Sequence, residues 1–212
     1  MADRDPLPFD PIAEARRQWA VHGWEDASSA MAVVTSIMRV QQLLSARADT
    51  ALRPYDLTFA RYEVLMLLSF SSKGALPLGK IGKRLQVNPA SVTNAIDRLE
   101  EQGLVDRVPN PDDRRGTLAR LTGEGRARAA AATEAVNERV FTEMGVGAGG
   151  LEGLFELLRD MRRAAGDFTD SAAATDFTNG TTNGTADSAA NGATNGAAAT
   201  DVVRDAGGAP GR

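Results

Sequence analysis

The stretch LGKIGKRLQVNPASVTNAIDRLEEQG, Leu78 to Gly103, reads as two helices joined by a tight turn. Leu78, Ile81 and Leu85 recur at three- and four-residue steps and give a short apolar face. Val87-Asn88-Pro89 then supplies a turn, an asparagine able to cap a helix, and a proline suited to its first position. The second helix, Ala90 to Gln102, is expected to bury Val92, Ile96 and Leu99 and to stop at Gly103. That leaves Ser91, Thr93, Asn94 and Arg98 facing outward. Short polar side chains near a helix N-terminus can approach base edges and phosphates closely, so the spacing predicts a DNA-binding helix–turn–helix.

After Gly103 the hydrophobic period switches. LVDRVPN and TLARLT are short β-rich runs flanking PDDRRG, which predicts a hairpin with a charged, glycine-ended tip. Arg114 and Arg115 on that tip suit a wing reaching an adjacent minor groove, with Asp112 or Asp113 orienting an arginine rather than touching DNA. Thr122 is placed to start a long alanine-rich helix to about Met144, which GVGAGG (Gly145 to Gly150) breaks. A last helix carries Leu151, Leu154, Phe155, Leu158 and Met161 on one side. Upstream, Ser29 to Leu52 forms an amphipathic helix through Met31, Val34, Met38, Gln41, Leu44 and Ala48, ended by Arg53-Pro54. Thr58 can cap a further helix, Phe59 to Ser71, and Pro77 is expected in the first turn of the short helix ending near Leu85.

GALPLGKI, Gly74 to Ile81, falls one residue short of a nucleotide-binding loop. Gly74, Gly79 and Lys80 fit the phosphate-loop pattern, but Ile81 stands where a hydroxyl should hold magnesium, and Pro77 removes a backbone N–H donor. VLMLLSF, which would be the preceding strand, continues an amphipathic helix, and no strand–helix alternation follows. A nucleotide-dependent enzyme or switch built on Gly79-Lys80 is therefore a distant alternative, and Gly74 is read as a helix terminator.

The bulk composition narrows the field further. The 212 residues contain no cysteine and one histidine, His22, which excludes thiolate chemistry, disulfides and sulfur metal sites, and no metal or cofactor is expected. The net charge of −4 hides an asymmetry, because Lys73 to Arg128 holds eleven basic and seven acidic residues. The surplus of positive charge sits on the segment expected to dock on DNA. No apolar run is long enough to span a bilayer and no secretory signal is seen, so the expected compartment is the cytoplasm, with nucleoid association when DNA is bound and no membrane partner. From residue 169 onward the chain is built mainly of Ala, Thr, Asn, Gly and Asp, and is expected to be disordered.

NPASVTNAIDRLEEQGLVDRVPNPDDRRGTLARLTGEG resembles the recognition helix and wing of MarR-type transcriptional regulators. The family's D-x-R-x-x-x-L-x-L-T wing pattern is approached by Asp112, Arg114, Leu118, Leu121 and Thr122, with one residue more between Leu118 and Leu121 than the pattern has, the acidic pair leaving a one-residue choice of register. The resemblance covers approximately residues 27–168. It implies a mainly α fold: a winged helix–turn–helix lobe (58–121) and a helical dimerisation domain made by N- and C-terminal helices (27–53 and 122–166). An N-terminal extension (1–26), partly helical, precedes it. The implied function is a homodimeric regulator, with effector-controlled repression at a double-stranded DNA operator; a ligand-independent DNA-binding regulator or an activator is the alternative. The residues expected at the DNA are Pro89, Ala90, Ser91, Thr93, Asn94, Arg98, Arg114 and Arg115. Urate-type members resemble this chain in carrying an N-terminal tryptophan and an acidic residue at the place of Glu63. A pocket for a small organic acid is accordingly expected from Trp19, His22, Trp24, Arg39, Arg61 and Glu63, although an extra helix packed on the dimer also accounts for the N-terminal rings.

Overall fold

A computed structural model describes residues 6–169 of the chain. Residues 1–5 and the segment from 170 onward, where the disordered tail is expected, lie outside the described residues. Four of the helices start where the sequence offers a side-chain oxygen to an orphan backbone N–H. Asp10 accepts from the Ile12 amide at 2.9 Å and opens α1 (Pro11–Val21). Thr58 opens α3 (Phe59–Phe70), and Asn88 opens α5 (Pro89–Glu101) by accepting from Ser91 N at 2.8 Å. Thr122 opens α6 (Gly123–Val136) through Gly125 N at 2.9 Å. Between them lie α2 (Glu25–Leu52), a 3₁₀ turn over Arg53–Tyr55, and α4 (Leu78–Leu85), while α7 (Ala148–Ala164) comes last.

Among the described residues, three strands form one antiparallel sheet in the order β1-β3-β2: β1 is Ala75–Pro77, β2 Val105–Asn110 and β3 Asp113–Leu121. The wing is the β2–β3 hairpin, in which Val105 pairs with Leu121 and Pro109 with Thr117. A register shift at Pro109/Asn110 brings Asn110 opposite Asp113, so the strand takes in residues that the sequence suggests for the tip. The core lies between α3, α5 and the sheet, with Leu65, Leu68, Leu76, Ile96, Leu99 and Leu104 fully buried. Each such side chain contributes about 1.5–3 kcal/mol on burial. Ala48, Ala51 and Leu52 of α2, with Ala129, Ala132 and Val136 of α6, join that core to the long helices.

Several elements depart from the sequence reading. Pro77 is not in the first turn of α4 but ends β1, opposite Leu118. An edge strand tolerates proline because the missing N–H leaves no ladder bond broken inside the sheet. Helix α2 begins at Glu25, four residues ahead of Ser29. The alanine-rich helix does not run to Met144: a π-helical turn over Asn137–Phe141 follows Val136, and Thr142 N donates to Asn137 O at 2.9 Å. Helix α7 buries no side chain within the chain, leaving Phe155 52% and Leu157 66% exposed. Val33, Val34, Ile37, Met38 and Val40 of α2 are exposed as well. Among the described residues, no helix is long and apolar enough to cross a membrane.

Candidate nucleic-acid interface

Helices α4 and α5 meet through Gln86, whose left-handed backbone (φ 54) closes α4 and lets Val87 N donate to Gly82 O at 3.1 Å. Gly82 makes that closure possible. A Cβ there would stand 3.2 Å from the Val87 carbonyl and 3.3 Å from Val92 Cγ2, so a side chain would push α4 away from α5. Beyond the turn, Val92, Ala95, Ile96 and Leu99 hold α5 on the core, while Pro89, Ala90, Ser91, Thr93, Asn94 and Arg98 are all exposed. The Thr93 hydroxyl donates to Pro89 O at 3.0 Å, leaving its lone pairs outward. Arg98 is tied to Glu101 at 2.9 Å, a fully surface pair that a phosphate would have to compete with.

The wing is fastened to this helix. Arg107 on β2 forms ion pairs with Asp97 and Glu100, both on the solvent side of α5. The hydrogen bond it donates to Asp97 is the main reason that the Arg107 guanidinium holds its proton above the ordinary arginine range. Asp106 and Arg120 pair across the hairpin at 3.0 Å. Arg114 and Arg115 occupy the start of β3, at the outer end of the hairpin.

An open cleft of about 680 Å³ runs along the N-terminal half of α5, lined by Asn88, Ser91, Asn94 and Arg98 and, from the first turn of α3, by Thr58 and Arg61. The expected effector residues are dispersed. Trp19 and Trp24 meet across the α1–α2 turn with ring centroids 5.2 Å apart, and His22 stacks on Trp24 at 6.2 Å. His22 Nδ1 donates to Gln18 O at 2.8 Å. Arg39 bonds Gln42 within α2, Arg61 bonds the Thr58 hydroxyl, and Glu63 is half-buried on α3 with its carboxyl pushed up by burial. Among the described residues, no hydrogen bond or ion pair links the three rings to Arg39, Arg61 or Glu63. No group of three His, Asp or Glu among the described residues could hold a metal ion.

Gly82, Gly125 and the position of Arg61 are features that sequence spacing did not single out. Gly125 matters through backbone from a distant segment, at Leu104, and Gly82 through the close approach of Val87 O and Val92 Cγ2 across its own turn.

A capped helix pair, an exposed polar second helix and a hairpin pinned beside it define a winged helix–turn–helix regulator. The MarR family model matches residues 57–117. Over 67% of its length the chain is 48% identical to Sco5413, a MarR family transcriptional regulator from Streptomyces coelicolor, covering 99% of that protein with a TM-score of 0.61. The chain belongs to the MarR family. A mutant MarR from E. coli, solved in complex with operator DNA, is 27% identical, with 64% of this chain and 96% of that one covered at a TM-score of 0.58. The HTH-type regulator YhbI of Bacillus subtilis is 38% identical over 77 residues, 36% of this chain and 49% of that protein. The chain thus spans about half the length of that curated relative.

Proposed function

We propose that the protein is a homodimeric, sequence-specific DNA-binding regulator that represses from a pseudo-palindromic operator and leaves it when a small organic acid binds. The observation that carries this is the exposed face of α5, where Ser91, Thr93 and Asn94 stand clear beside the open cleft while the opposite face is locked in the core. The likeness to a MarR solved with operator DNA supports the same reading. The exposed apolar side chains of α2 and α7 support dimerisation, since a winged lobe alone offers nothing to cover them. Two-fold symmetry then asks for half-sites about one helical turn, ~10 bp, apart.

Release by an acid is supported by the ring cluster Trp19, His22 and Trp24 at the α1–α2 turn, since α2 is a long helix that also reaches the core of the winged lobe. To release DNA, the acid must bind the non-binding spacing better. A ~100-fold preference corresponds to about 2.7 kcal/mol of coupling. The test is selection of bound fragments from random duplex, followed by titration of the parent and Asn94→Ala proteins with and without candidate acids. An enriched palindrome is expected, with Asn94→Ala relaxing base preference by about 1–3 kcal/mol. No enrichment defeats the DNA reading, and acids that bind without altering DNA affinity defeat the release mechanism.

A further inference from the structure

The cleft beside α5 has two walls. One is the recognition face, Asn88, Ser91, Asn94 and Arg98, and the other is the first turn of α3, with Thr58 and Arg61. Two arginines line it and no carboxylate does, which suits a polyanion. They are not equally free to serve one. Arg98 is already paired with Glu101, whereas the Arg61 side chain donates through Nε to a neutral hydroxyl, Thr58 Oγ1, over 3.3 Å. Moving Arg61 onto a phosphate breaks one long hydrogen bond to a neutral hydroxyl and no ion pair. Its backbone is rigid, because the adjoining Tyr62, Val64 and Leu65 are buried in the core.

From this we infer that Arg61 holds a backbone phosphate at the edge of the major groove that α5 enters, so that the DNA interface includes α3 as well as α5 and the wing. The inference rests on the DNA-binding function proposed above. A helix seated in the groove has a sugar–phosphate strand on its flank, and the Arg61 wall of the cleft is where that strand passes. The planar guanidinium can give two parallel hydrogen bonds to one phosphate, which an ammonium cannot. A carboxylate would fit the same guanidinium, so it is the place of Arg61 beside the exposed face of α5 that points to a phosphodiester rather than to an effector.

The test uses the full chain and two duplexes, the selected operator and a scrambled sequence of equal length, titrated at several salt concentrations. Parent, Arg61→Gln, Arg61→Lys and Asn94→Ala proteins are compared, with melting temperatures recorded for each. Arg61→Gln is expected to weaken both duplexes by a similar factor, roughly tenfold at moderate salt. It should also reduce the log–log salt slope by about 1.8 in a dimer, ~0.9 for each phosphate no longer neutralised. Arg61→Lys should keep the slope, and Asn94→Ala should lose affinity for the operator alone. Unchanged affinity and slope in a folded Arg61→Gln protein overturn the inference while leaving DNA binding intact. A loss confined to the operator with an unchanged slope overturns it too, since that is base readout. Failure of the parent to bind either duplex removes the DNA-binding function and the inference together.

Discussion

Gly125 has no side chain because the Leu104 carbonyl occupies the place where one would be. A Cβ there would lie 2.0 Å from Leu104 O and 2.9 Å from Leu121 Cδ1, and backbone cannot step aside as a flexible side chain does. The same carbonyl accepts from Thr122 N at 3.1 Å, so the start of α6 is locked onto the start of β2. Gly125→Ala should therefore destabilise the fold by about 1–3 kcal/mol or more, the usual cost of overpacking, measured by urea denaturation. A neutral result would mean that α6 shifts freely. Glu63 carries the opposite kind of liability. Burial pushes its carboxyl up from the ordinary 4.5, so the folded chain keeps the proton to higher pH than the unfolded chain does. Stability from this group is complete below 4.5 and is lost as pH rises towards the folded value. Glu63→Gln should melt higher than the parent at pH 7, and the gap should close below pH 4; an equal gap at both would refute the assignment. At this scale the exposed set on α5 was legible, because a 3.6-residue period separates Ser91, Thr93 and Asn94 from Val92, Ile96 and Leu99. Gly125 and the place of Arg61 were not, since each depends on a segment far along the chain, nor was Gly82, whose constraint arises only when α4 and α5 pack across their turn.

Among the elements, the wing and the recognition helix behave as one piece because Arg107 bridges them. Its two carboxylate partners stand three residues apart on α5, close enough for one guanidinium to hold both. Arg107→Ala leaves Asp97 and Glu100 facing each other without a cation. All three side chains are partly exposed, so the loss should be modest, about 0.5–1.5 kcal/mol after screening. On the proposed function the larger expected effect is on DNA, since an unpinned hairpin no longer holds the start of β3 at a fixed offset from α5. Affinity should fall with little change in melting temperature; equal affinity would show that the hairpin is positioned by its strand pairing alone. Most element boundaries were readable from capping residues: Thr58, Asn88 and Thr122 all cap where expected. What escaped was set by pairing and packing. Three residues with a proline give no strand signal until β3 lies beside them, and nothing in AVNERVF marks the extra backbone unit of the π-helical turn.

For the molecule as a whole, the winged lobe has its own core and the long helices do not. Leu154, Phe155, Leu157 and Met161 on α7, and Val33, Val34, Ile37 and Met38 on α2, are exposed in the single chain. The sequence foretold this for α7, whose apolar stripe exceeds what a small winged domain can cover. A second copy covering both faces would build an obligate interface, which commonly buries over ~2,000 Å². Light scattering at micromolar concentration should give twice the chain mass, and a monomer would rule the assembly out. Because folding of these helices would then be linked to association, melting temperature should climb with protein concentration, where a self-sufficient monomer would show none of this. With association required in this way, the uncovered stripe of α7 would make the regulator a sensor of its own abundance. When copies are scarce enough for dimers to part, operator occupancy should follow the square of chain number, so a twofold change in synthesis becomes a nearly fourfold change in control.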